Sequence, residues 1–500
     1  MSRLGALGVV AGLAVVGPLL EGALGGGRGW MVGMLLLVIA PSLVRAGGIR
    51  FHPLDPETFV PVMYFLSAGY APTLHLLHSE YLTLSYAETN AFQVAYLGSI
   101  GCAMVCTAWS RQSEDPDPAS GGLPSVLLPR DWAVIATGLT GAGLIAAWVA
   151  STGIGTLLSS SYADTYLHEQ GKGLLVAGWY LIQLAIVHCV ARLADFRRDG
   201  VKVPRAITAA LVVMGMTFLL NTVLGRRGPV LWLIASVLLC LHLSGYRIKR
   251  IWLFAAAALL PVYAFFLEGY RSQQGEGTDA QLEAATTHLS RIDNPLVIPD
   301  LEAVFNTLVV MVEQVPPILH YPGESWANAL LLQVPKAIWP DRPTALSDRY
   351  VQWAEPSFAR EGGGRAFNVT AEGYLNFGHI GAMVEVAFVS MVFFFGPLAA
   401  CAARPRGPLA RALATAMASF AYNQYRGELA SVMKIALVLL LATASVHLAS
   451  ALFVQLRAQI LGGAPEGWKQ RVEGARAARA ARAARAAHAA HQASAAQTDP

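Results

Sequence analysis

The chain has 500 residues, of which 55% are hydrophobic and 14% are charged, and its formal net charge is +4. Soluble domains carry roughly 25% charged residues, so this composition argues against a set of soluble domains. Apolar runs of about 18 residues or more, the length that crosses a hydrocarbon core, recur along the chain. Such blocks exclude a transmembrane barrel, whose strands alternate over about ten residues. We therefore predict an all-α polytopic integral membrane protein.

The apolar runs predict about twelve transmembrane helices. The first begins close to Met1 and resembles a signal peptide. No convincing small-residue cleavage site precedes a polar segment, so we predict an uncleaved helix. The predicted spans are 4–22, 29–45, 57–77, 89–109, 131–151, 173–193, 206–224, 228–245, 251–269, 377–400, 408–423 and 428–454.

Basic residues in the short loops predict the orientation, because cytoplasmic loops carry an excess of Lys and Arg. They concentrate in alternate loops, beginning with the loop that contains Arg45 and Arg50. This pattern places both termini in the cytoplasm and the long polar segment on the opposite side, as one large periplasmic loop of a protein in a bacterial inner membrane. The predicted segments are 1–269 (helices), 270–376 (periplasmic loop with short helices), 377–456 (helices) and 457–500 (basic Ala/Arg-rich tail).

The tail repeats arginine every third residue from Arg476 in an alanine background. We expect it to rest on anionic membrane lipid and not to bind nucleic acid. The five cysteines lie in or beside apolar spans, so a disulfide framework is not expected. The sequence has no metal-ligand spacing and no nucleotide-binding motif. We therefore expect no metal and no cofactor, with energy supplied by a preactivated substrate or an ion gradient.

Several charges break the membrane pattern. Arg226 and Arg227 lie in the turn between spans seven and eight, which is predicted to be periplasmic. Arg426 lies in the turn between the last two spans, and Arg271 follows span nine on the same side. Guanidinium groups bind phosphate in bidentate fashion, so these arginines indicate a site for a pyrophosphate or an acidic sugar. The alternatives are contact with lipid headgroups and structural ion pairs.

Glu385 and Lys434 fall inside predicted spans ten and twelve, each about two turns from the periplasmic surface. An unpaired charge there is expensive, so we predict a buried ion pair. His188, His242 and His447 lie nearer the cytoplasmic ends, and we expect them to pack against other helices or to lie at the interface.

The long loop contains the remaining candidate residues. Trp339 lies in a proline-rich aromatic turn that suits a sugar platform, although anchoring at the membrane interface explains it equally well. Asn368 and Asn376 lie one helical turn before and after Glu372, on the same face of a helix. A carboxylate flanked by two amides can bind sugar hydroxyls. The predicted substrate-binding residues of the loop are Trp339, Arg342, Arg365, Asn368, Tyr374 and Asn376.

Five short motifs carry a family resemblance: GRRG at 225–228, YPGESW at 321–326, VPKAIWPDRP at 334–343, AEGYLNFGHIG at 371–381 and YRGE at 425–428. In these motifs and in outline, the chain resembles the Wzy-type polymerases that join oligosaccharide repeat units into O-antigen or exopolysaccharide. The resemblance implies a membrane glycosyltransferase that moves a growing glycan from undecaprenyl pyrophosphate to a new lipid-linked repeat unit. It also implies a chain-length co-polymerase of the Wzz type as a partner.

Two alternatives stay open. O-antigen ligases resemble the chain in topology but typically place a histidine where this sequence has Asn368, which favours a polymerase. Glu372 is then the candidate general base, with Arg226, Arg227 and Arg426 stabilising the leaving group. A transporter or flippase of lipid-linked sugars is the second alternative. The large loop and the lack of a visible internal repeat argue against it.

Overall fold

The computed structural model describes residues 3–46, 52–78, 84–109, 127–159, 175, 177–224, 227–246, 248–272, 278–290, 299–315, 318–336, 338–360, 364–402 and 407–460. Over these residues the chain is helical and contains no strand. Arg226 and the tail beyond residue 460 lie outside them.

The helices fall into those before the predicted periplasmic loop, those within it, and those after it. The first group comprises α1 (Arg3–Leu24), α2 (Arg28–Ala46), α3 (Pro56–Ala68), α4 (Tyr70–His78), α5 (Tyr86–Trp109), α6 (Pro129–Thr152), α7 (Ile154–Ser159), α8 (Gly178–Arg198), α9 (Arg205–Val223), α10 (Arg227–Leu243) and α11 (Arg250–Ser272). The loop contains α12 (Thr278–Ser290), α13 (Pro299–Gln314), α14 (Glu324–Leu331), α15 (Leu346–Ala354) and α16 (Pro356–Arg360). The last group comprises α17 (Val369–Val389), a π-helical segment (Ser390–Phe395), α18 (Gly396–Ala402), α19 (Pro408–Ser419), α20 (Ala421–Tyr425) and α21 (Leu429–Ile460).

Among these helices, six are long and apolar enough to cross a membrane: Gly5–Leu24, Tyr86–Trp109, Pro129–Thr152, Gly178–Arg198, Val369–Ala402 and Leu429–Leu456. Three shorter apolar helices are Arg28–Val44, Arg205–Asn221 and Gly228–Leu243. The prediction of a helical multi-pass membrane protein is thus confirmed. The larger number of spans and the periplasmic position of the loop remain predictions.

Two predicted spans are each divided between two helices. The segment predicted as 57–77 consists of α3 and α4, separated at Gly69, where a Cβ atom would collide with the side chains of Met34 and Phe65. The segment predicted as 408–423 consists of α19 and α20, which meet at Phe420. Apolar runs indicated these helices correctly but gave no sign of where they bend.

The buried side chains form two apolar clusters. One is built mainly from α1–α5 together with α13, α17 and α20, and α17 packs along α5. The other is built from α6, α8–α10, α19 and α21, and α8 lies between α6 and α19. Because α13 and α14 from the loop both contact α17, the loop helices lie beside the first cluster.

Charged side chains inside the second cluster are paired. His188 Nε2 lies 2.9 Å from Asp131 Oδ1, and Arg192 Nε lies 3.1 Å from Asp131 Oδ2. Arg411 Nη2 lies 2.6 Å from Asp195 Oδ2. Pairing of this kind lets charged groups remain buried, although it adds little net stability compared with an apolar core. His188 is therefore a packing residue, as predicted.

Helix α17 is broken near its start. Phe377 and Gly378 have non-helical backbone angles, and Gly378 has φ 64° and ψ −148°, a region open essentially to glycine alone. The segments on either side fold back on each other, because a Cβ atom on Gly381 would overlap the backbone oxygen of Gly373. The break lies at the predicted boundary between loop and helix. It brings Glu372 and Glu385 from successive segments towards the same region.

Gly381→Ala is expected to lower the free energy of unfolding by about 1–3 kcal/mol, because the added methyl group forces the two segments of α17 apart. Gly143→Ala in α6 is the control, since a Cβ atom there meets nothing within 4 Å. Thermal unfolding of the detergent-solubilised protein compares the two variants. Equal midpoints would show that the close approach of Gly373 and Gly381 is unimportant for stability.

Candidate functional site

Four buried glutamates form what we call the carboxyl cluster: Glu324, Glu372, Glu385 and Glu428. Their exposed fractions are 4%, 1%, 1% and 4%. Glu324 begins α14, Glu372 and Glu385 lie on the two segments of α17, and Glu428 immediately precedes α21. Since buried carboxyl groups are rare without a compensating environment, this cluster is the strongest candidate for a functional site.

Glu372 lies at the centre of the cluster. Its Oε2 accepts a hydrogen bond from the backbone N–H of Leu429, the first residue of α21, at 2.7 Å. Asn376 donates from Nδ2 to Ser325 Oγ at 2.7 Å, and its Oδ1 accepts from Gly323 N–H at 2.9 Å. Because it bonds to the first N–H of α21, the carboxyl group of Glu372 lies at the positive end of the helix dipole of α21, where a negative charge is favoured.

Glu385 faces the loop helices and not Lys434. Its Oε2 accepts a hydrogen bond from Trp326 Nε1 at 2.5 Å, and its carboxyl group also interacts with that of Glu372. Lys434 is exposed on α21. The predicted Glu385–Lys434 ion pair is therefore wrong. Trp326 of α14 takes the place that the prediction gave to the lysine, because α14 packs directly on α17.

Glu428 supplies the N-terminal cap that α15 lacks in its own sequence. Its Oε2 accepts from the backbone N–H groups of Leu346 and Ser347 at 2.6 and 3.1 Å, and its Oε1 accepts from Ser347 Oγ at 3.0 Å. Ala345, at the N-cap position, has no capping side chain. Burial, reinforced by the nearby charge of Glu372, raises the pKa of Glu428 to about 7 despite these three donors.

Glu324 binds α15 from the other side. Its Oε1 accepts from Arg349 Nη1 at 2.6 Å, and its Oε2 accepts from His320 N–H at 2.5 Å. Although burial opposes ionisation of Glu324, these two donors outweigh it and lower the pKa of the carboxyl group. Glu324 and Glu428 thus hold α15 between α14 and α21. A small cavity beside Glu428 and Arg349, of about 10 Å³, has room for one water molecule.

The stability of the protein is expected to depend on the titration of Glu428. In the folded chain its carboxyl group releases its proton near pH 7, whereas an ordinary glutamate does so near 4.5. The folded state therefore holds the extra proton between these values, so stability falls as pH rises from about 5 to about 7, by up to roughly 3 kcal/mol.

Glu428→Gln is expected to reduce this fall, because glutamine has no titrating proton. Thermal unfolding midpoints between pH 5 and pH 8 measure the effect. Glu313→Gln, an exposed position on α13, is the control. If Glu428→Gln shows the same pH dependence as the control, Glu428 is not the group that titrates.

Other predicted residues have structural contacts. Asn368 is the N-cap of α17, where its Oδ1 accepts from Thr370 N–H at 2.7 Å. Arg342 donates from Nη1 to the backbone oxygens of Leu332 and Val334, at 2.7 and 2.6 Å. These bonds attach the VPKAIWPDRP segment to the end of α14. Both residues therefore shape the site, and whether they also bind substrate stays a prediction.

The remaining loop residues lie further out. Arg365 forms two 2.8 Å hydrogen bonds to the carboxylate of Glu355, and these bonds lower the pKa of Glu355. Trp339 is exposed, and Tyr374 is half-buried, with its ring nearly perpendicular to that of His379. The structure brings Glu372 and Asn376 together with the carboxyl cluster but places Arg365 and Trp339 at the surface of the loop.

Of the four predicted anion-binding arginines, Arg426 has a described side chain. It is half-buried, lies 5.9 Å from the ring centre of Tyr422, and precedes Glu428 by two residues. Arg226 lies outside the described residues, as do the side chains of Arg227 and Arg271. The gathering of these arginines at one site stays a prediction.

Sequence reasoning missed four residues of this region: Glu324, Ser325, Arg349 and Glu428. Glu324 and Ser325 belong to YPGESW and Glu428 to YRGE, so two of the resemblance motifs contained the signal. Elsewhere, His52, Asp55 and His242 bring metal-ligand atoms within 4.8 Å of one another.

Comparisons with protein-family models, with curated proteins and with solved structures find no match to this chain.

Proposed function

We propose that this protein polymerises oligosaccharide repeat units linked to undecaprenyl pyrophosphate, by glycosyl transfer at the periplasmic face of a bacterial inner membrane. The observation that carries the proposal is the position of Glu372. This buried carboxyl group lies at the start of a candidate membrane span, within a cluster built from motifs that resemble those of Wzy-type polymerases. The resemblance also supplies the proposed partner, a chain-length co-polymerase of the Wzz type.

In the proposed reaction, Glu372 is the general base. The acceptor hydroxyl oxygen forms a bond to the anomeric carbon of the donor glycan, and the hydroxyl proton passes to the carboxylate. The bond between that carbon and the pyrophosphate oxygen breaks, and the carrier pyrophosphate leaves with the electron pair. Asn376 holds Ser325 and the backbone of Glu372 in place, which fixes the direction of the base.

Arg426 is proposed to stabilise the pyrophosphate as it leaves, together with Arg226 and Arg227. Guanidinium forks suit this role because they match two phosphate oxygens at once. The cavity beside Glu428 holds about one water molecule. Entry of a glycan chain at this cavity therefore requires the helices that line it, α14 and α15, to move away from the start of α21.

One observation favours a transporter or flippase of lipid-linked sugars as the second candidate. Helix α17 is broken at Phe377 and Gly378, and Glu385 is buried in the segment that follows. Broken helices with buried ionisable groups are common in transporters. The break lies near the start of the candidate span, however, and not near its middle.

Reconstitution of the purified protein with carrier-linked repeat units tests the proposal. The expected product is a ladder of carrier-linked chains that differ by one repeat unit, and Glu372→Gln protein should give none. A product pool that remains at single units, with the wild-type protein folded in the membrane, would refute polymerase activity. Movement of single units across the bilayer without extension would instead support the flippase.

Cysteine labelling tests the proposed orientation. The native cysteines are all buried, so they contribute little background. A cysteine at the exposed Ser357 of the loop is expected to react with an impermeant maleimide in cells whose outer membrane alone is permeable. A cysteine at the exposed Lys202, between α8 and α9, should react only after the inner membrane is opened. The reverse pattern would overturn the topology and place the carboxyl cluster on the cytoplasmic side.

A further inference from the structure

A second group of ligand-type side chains lies at the face predicted to be cytoplasmic. His52 and Asp55 precede α3, and His242 lies in the last turn of α10. One ligand atom from each residue lies within 4.8 Å of the others. The two helices are remote in sequence, so only the fold brings these three residues together.

A tight turn holds the first two residues. The N–H of Asp55 donates to the backbone oxygen of His52 at 3.0 Å, which closes a four-residue turn over His52, Pro53, Leu54 and Asp55. Pro53 occupies the second position of this turn, where its fixed φ is favourable. The imidazole and the carboxylate are thus placed near each other before any ligand binds.

The side chain of Asp55 does not cap helix α3, although its position predicts that it would. Asp55 is the N-cap residue of α3, yet its side chain makes no capping hydrogen bond. An N-cap aspartate ordinarily accepts such a bond from the first turn of its helix. Here Oδ1 instead lies 2.9 Å from His242 Nε2. The carboxylate is therefore directed towards His242.

The two histidines are also well fixed. Helix α10 ends at Leu243, and Gly245, with φ 85°, follows it. The N–H of Tyr246 donates to the backbone oxygen of Leu241 at 3.0 Å, which closes the turn that carries His242. His52 Nε2 lies 3.2 Å from the backbone oxygen of Ile248 and donates to it when protonated, and His52 Nδ1 accepts a hydrogen bond from the N–H of Leu54 at 3.2 Å. A metal bound at Nδ1 replaces the Leu54 N–H as its partner. A metal-binding histidine commonly donates its other ring N–H to a backbone carbonyl in this way.

We propose that His52, Asp55 and His242 bind a divalent transition-metal ion of the zinc class, through His52 Nδ1, Asp55 Oδ1 and His242 Nε2. Two imidazole nitrogens and one carboxylate suit zinc, whereas calcium and magnesium require mainly oxygen ligands. His242 and Asp55 are 20% and 24% exposed, so water completes a tetrahedral set. The bound ion joins the start of α3 to the end of α10.

Two features bear on the fit. Metal–nitrogen distances of about 2.0–2.1 Å require the ligand atoms to approach each other further, by rotation of the two rings from their present stacking. The ring centres are 4.4 Å apart and the planes differ by 8°. Burial, with smaller effects from His242 and Arg250, lowers the pKa of His52. A lowered pKa favours the neutral imidazole, which is the form that binds a metal ion.

Zinc binding to the full-length protein tests the proposal. The protein is purified through an affinity tag that contains no histidine. Elemental analysis after equilibration with Zn²⁺ is expected to show one more ion per chain in the wild type than in the His52→Ala/His242→Ala double variant. The double variant retains the histidines of the tail and so measures their background. His320→Ala, which removes an exposed imidazole elsewhere, should bind zinc as the wild type does.

A second measurement separates lost ligands from lost folding. Co²⁺ in the wild type is expected to give the intense visible bands of a four-coordinate ion, and Asp55→Asn should weaken Zn²⁺ binding by at least about tenfold. Zn²⁺ should also raise the unfolding midpoint of the wild type but not of the double variant. Equal zinc binding by the wild type and a folded double variant would overturn the proposal and leave a hydrogen-bonded His–Asp pair.

Discussion

Replacing Glu372 by glutamine is expected to reduce polymer synthesis by about 10²–10⁴-fold, because the acceptor hydroxyl loses its general base. Glutamine is nearly isosteric with glutamate and keeps a side-chain oxygen that accepts from Leu429 N–H. The cap of α21 and the packing of α17 therefore remain. Quantification of surface polymer and of the protein in the membrane measures both effects in the same cells.

The control is Glu313→Gln, an exposed change on α13 that should leave polymer unchanged. The unfolding midpoint of Glu372→Gln protein should lie near that of the wild type. If polymer is lost only in parallel with a large fall in the midpoint, the role of Glu372 is to cap α21. Normal polymer in Glu372→Gln would remove it from the reaction altogether.

Arg426→Ala is expected to reduce polymer by about 10²–10³-fold, because the departing pyrophosphate loses a preorganised positive group. Arg426→Lys should recover only part of this loss, since an ammonium group is a point charge without the guanidinium fork. Alanine replacements of Arg226 and Arg227 should have the same direction of effect. Each variant is measured for polymer and for protein in the membrane.

Arg360→Ala is the matched control, because Arg360 is exposed at the end of α16, outside the carboxyl cluster. It should leave polymer intact. Wild-type polymer in all three alanine variants would assign Arg226, Arg227 and Arg426 to lipid contact. Complete rescue by lysine at position 426 would show that charge alone, without bidentate geometry, is sufficient.

The membrane class of this protein could be predicted because it follows from local properties. Apolar runs such as that of α21 are long enough to span a bilayer, and α21 forms as one helix, Leu429–Ile460. The predicted boundary between the loop and span ten coincides with the break inside α17 at Phe377 and Gly378, although the helix itself begins earlier, at Val369. The prediction was less accurate for α3 and α4, where close packing around Gly69 and not composition decides the break.

The carboxyl cluster could be predicted only in part, because most of its contacts join residues far apart in the chain. Asn376 and Glu372 are one helical turn apart, so their proximity was visible in the sequence. Glu428 contacts Leu346 across 82 residues, and periodicity carries no such information. The Glu385–Lys434 prediction failed for the same reason. That prediction paired the two side chains because they lie at a similar depth in the membrane. In the structure, α14 packs on α17 and the indole N–H of Trp326 donates to Glu385.

Asn368 shows how a local rule and a family resemblance can lead to different interpretations. Its amide, one helical turn before Glu372, predicted a sugar contact, and the family resemblance matched the same position with the histidine of ligases. Its position immediately before α17 is also that of an N-cap, and the structure gives it this bond. Replacement of Asn368 by serine, another good cap, would keep the helix start while removing the amide.

The carrier-linked glycan pool of a strain that lacks this protein tests the central claim most directly. Loss of a polymerase is expected to leave single repeat units on the lipid carrier at the periplasmic face, with surface glycan reduced to one unit or absent. Plasmid-borne wild-type protein should restore long chains, and Glu372→Gln protein should not. Long chains accumulating on the carrier would contradict polymerase activity and identify a ligase, and single units trapped in the cytoplasm would identify a flippase.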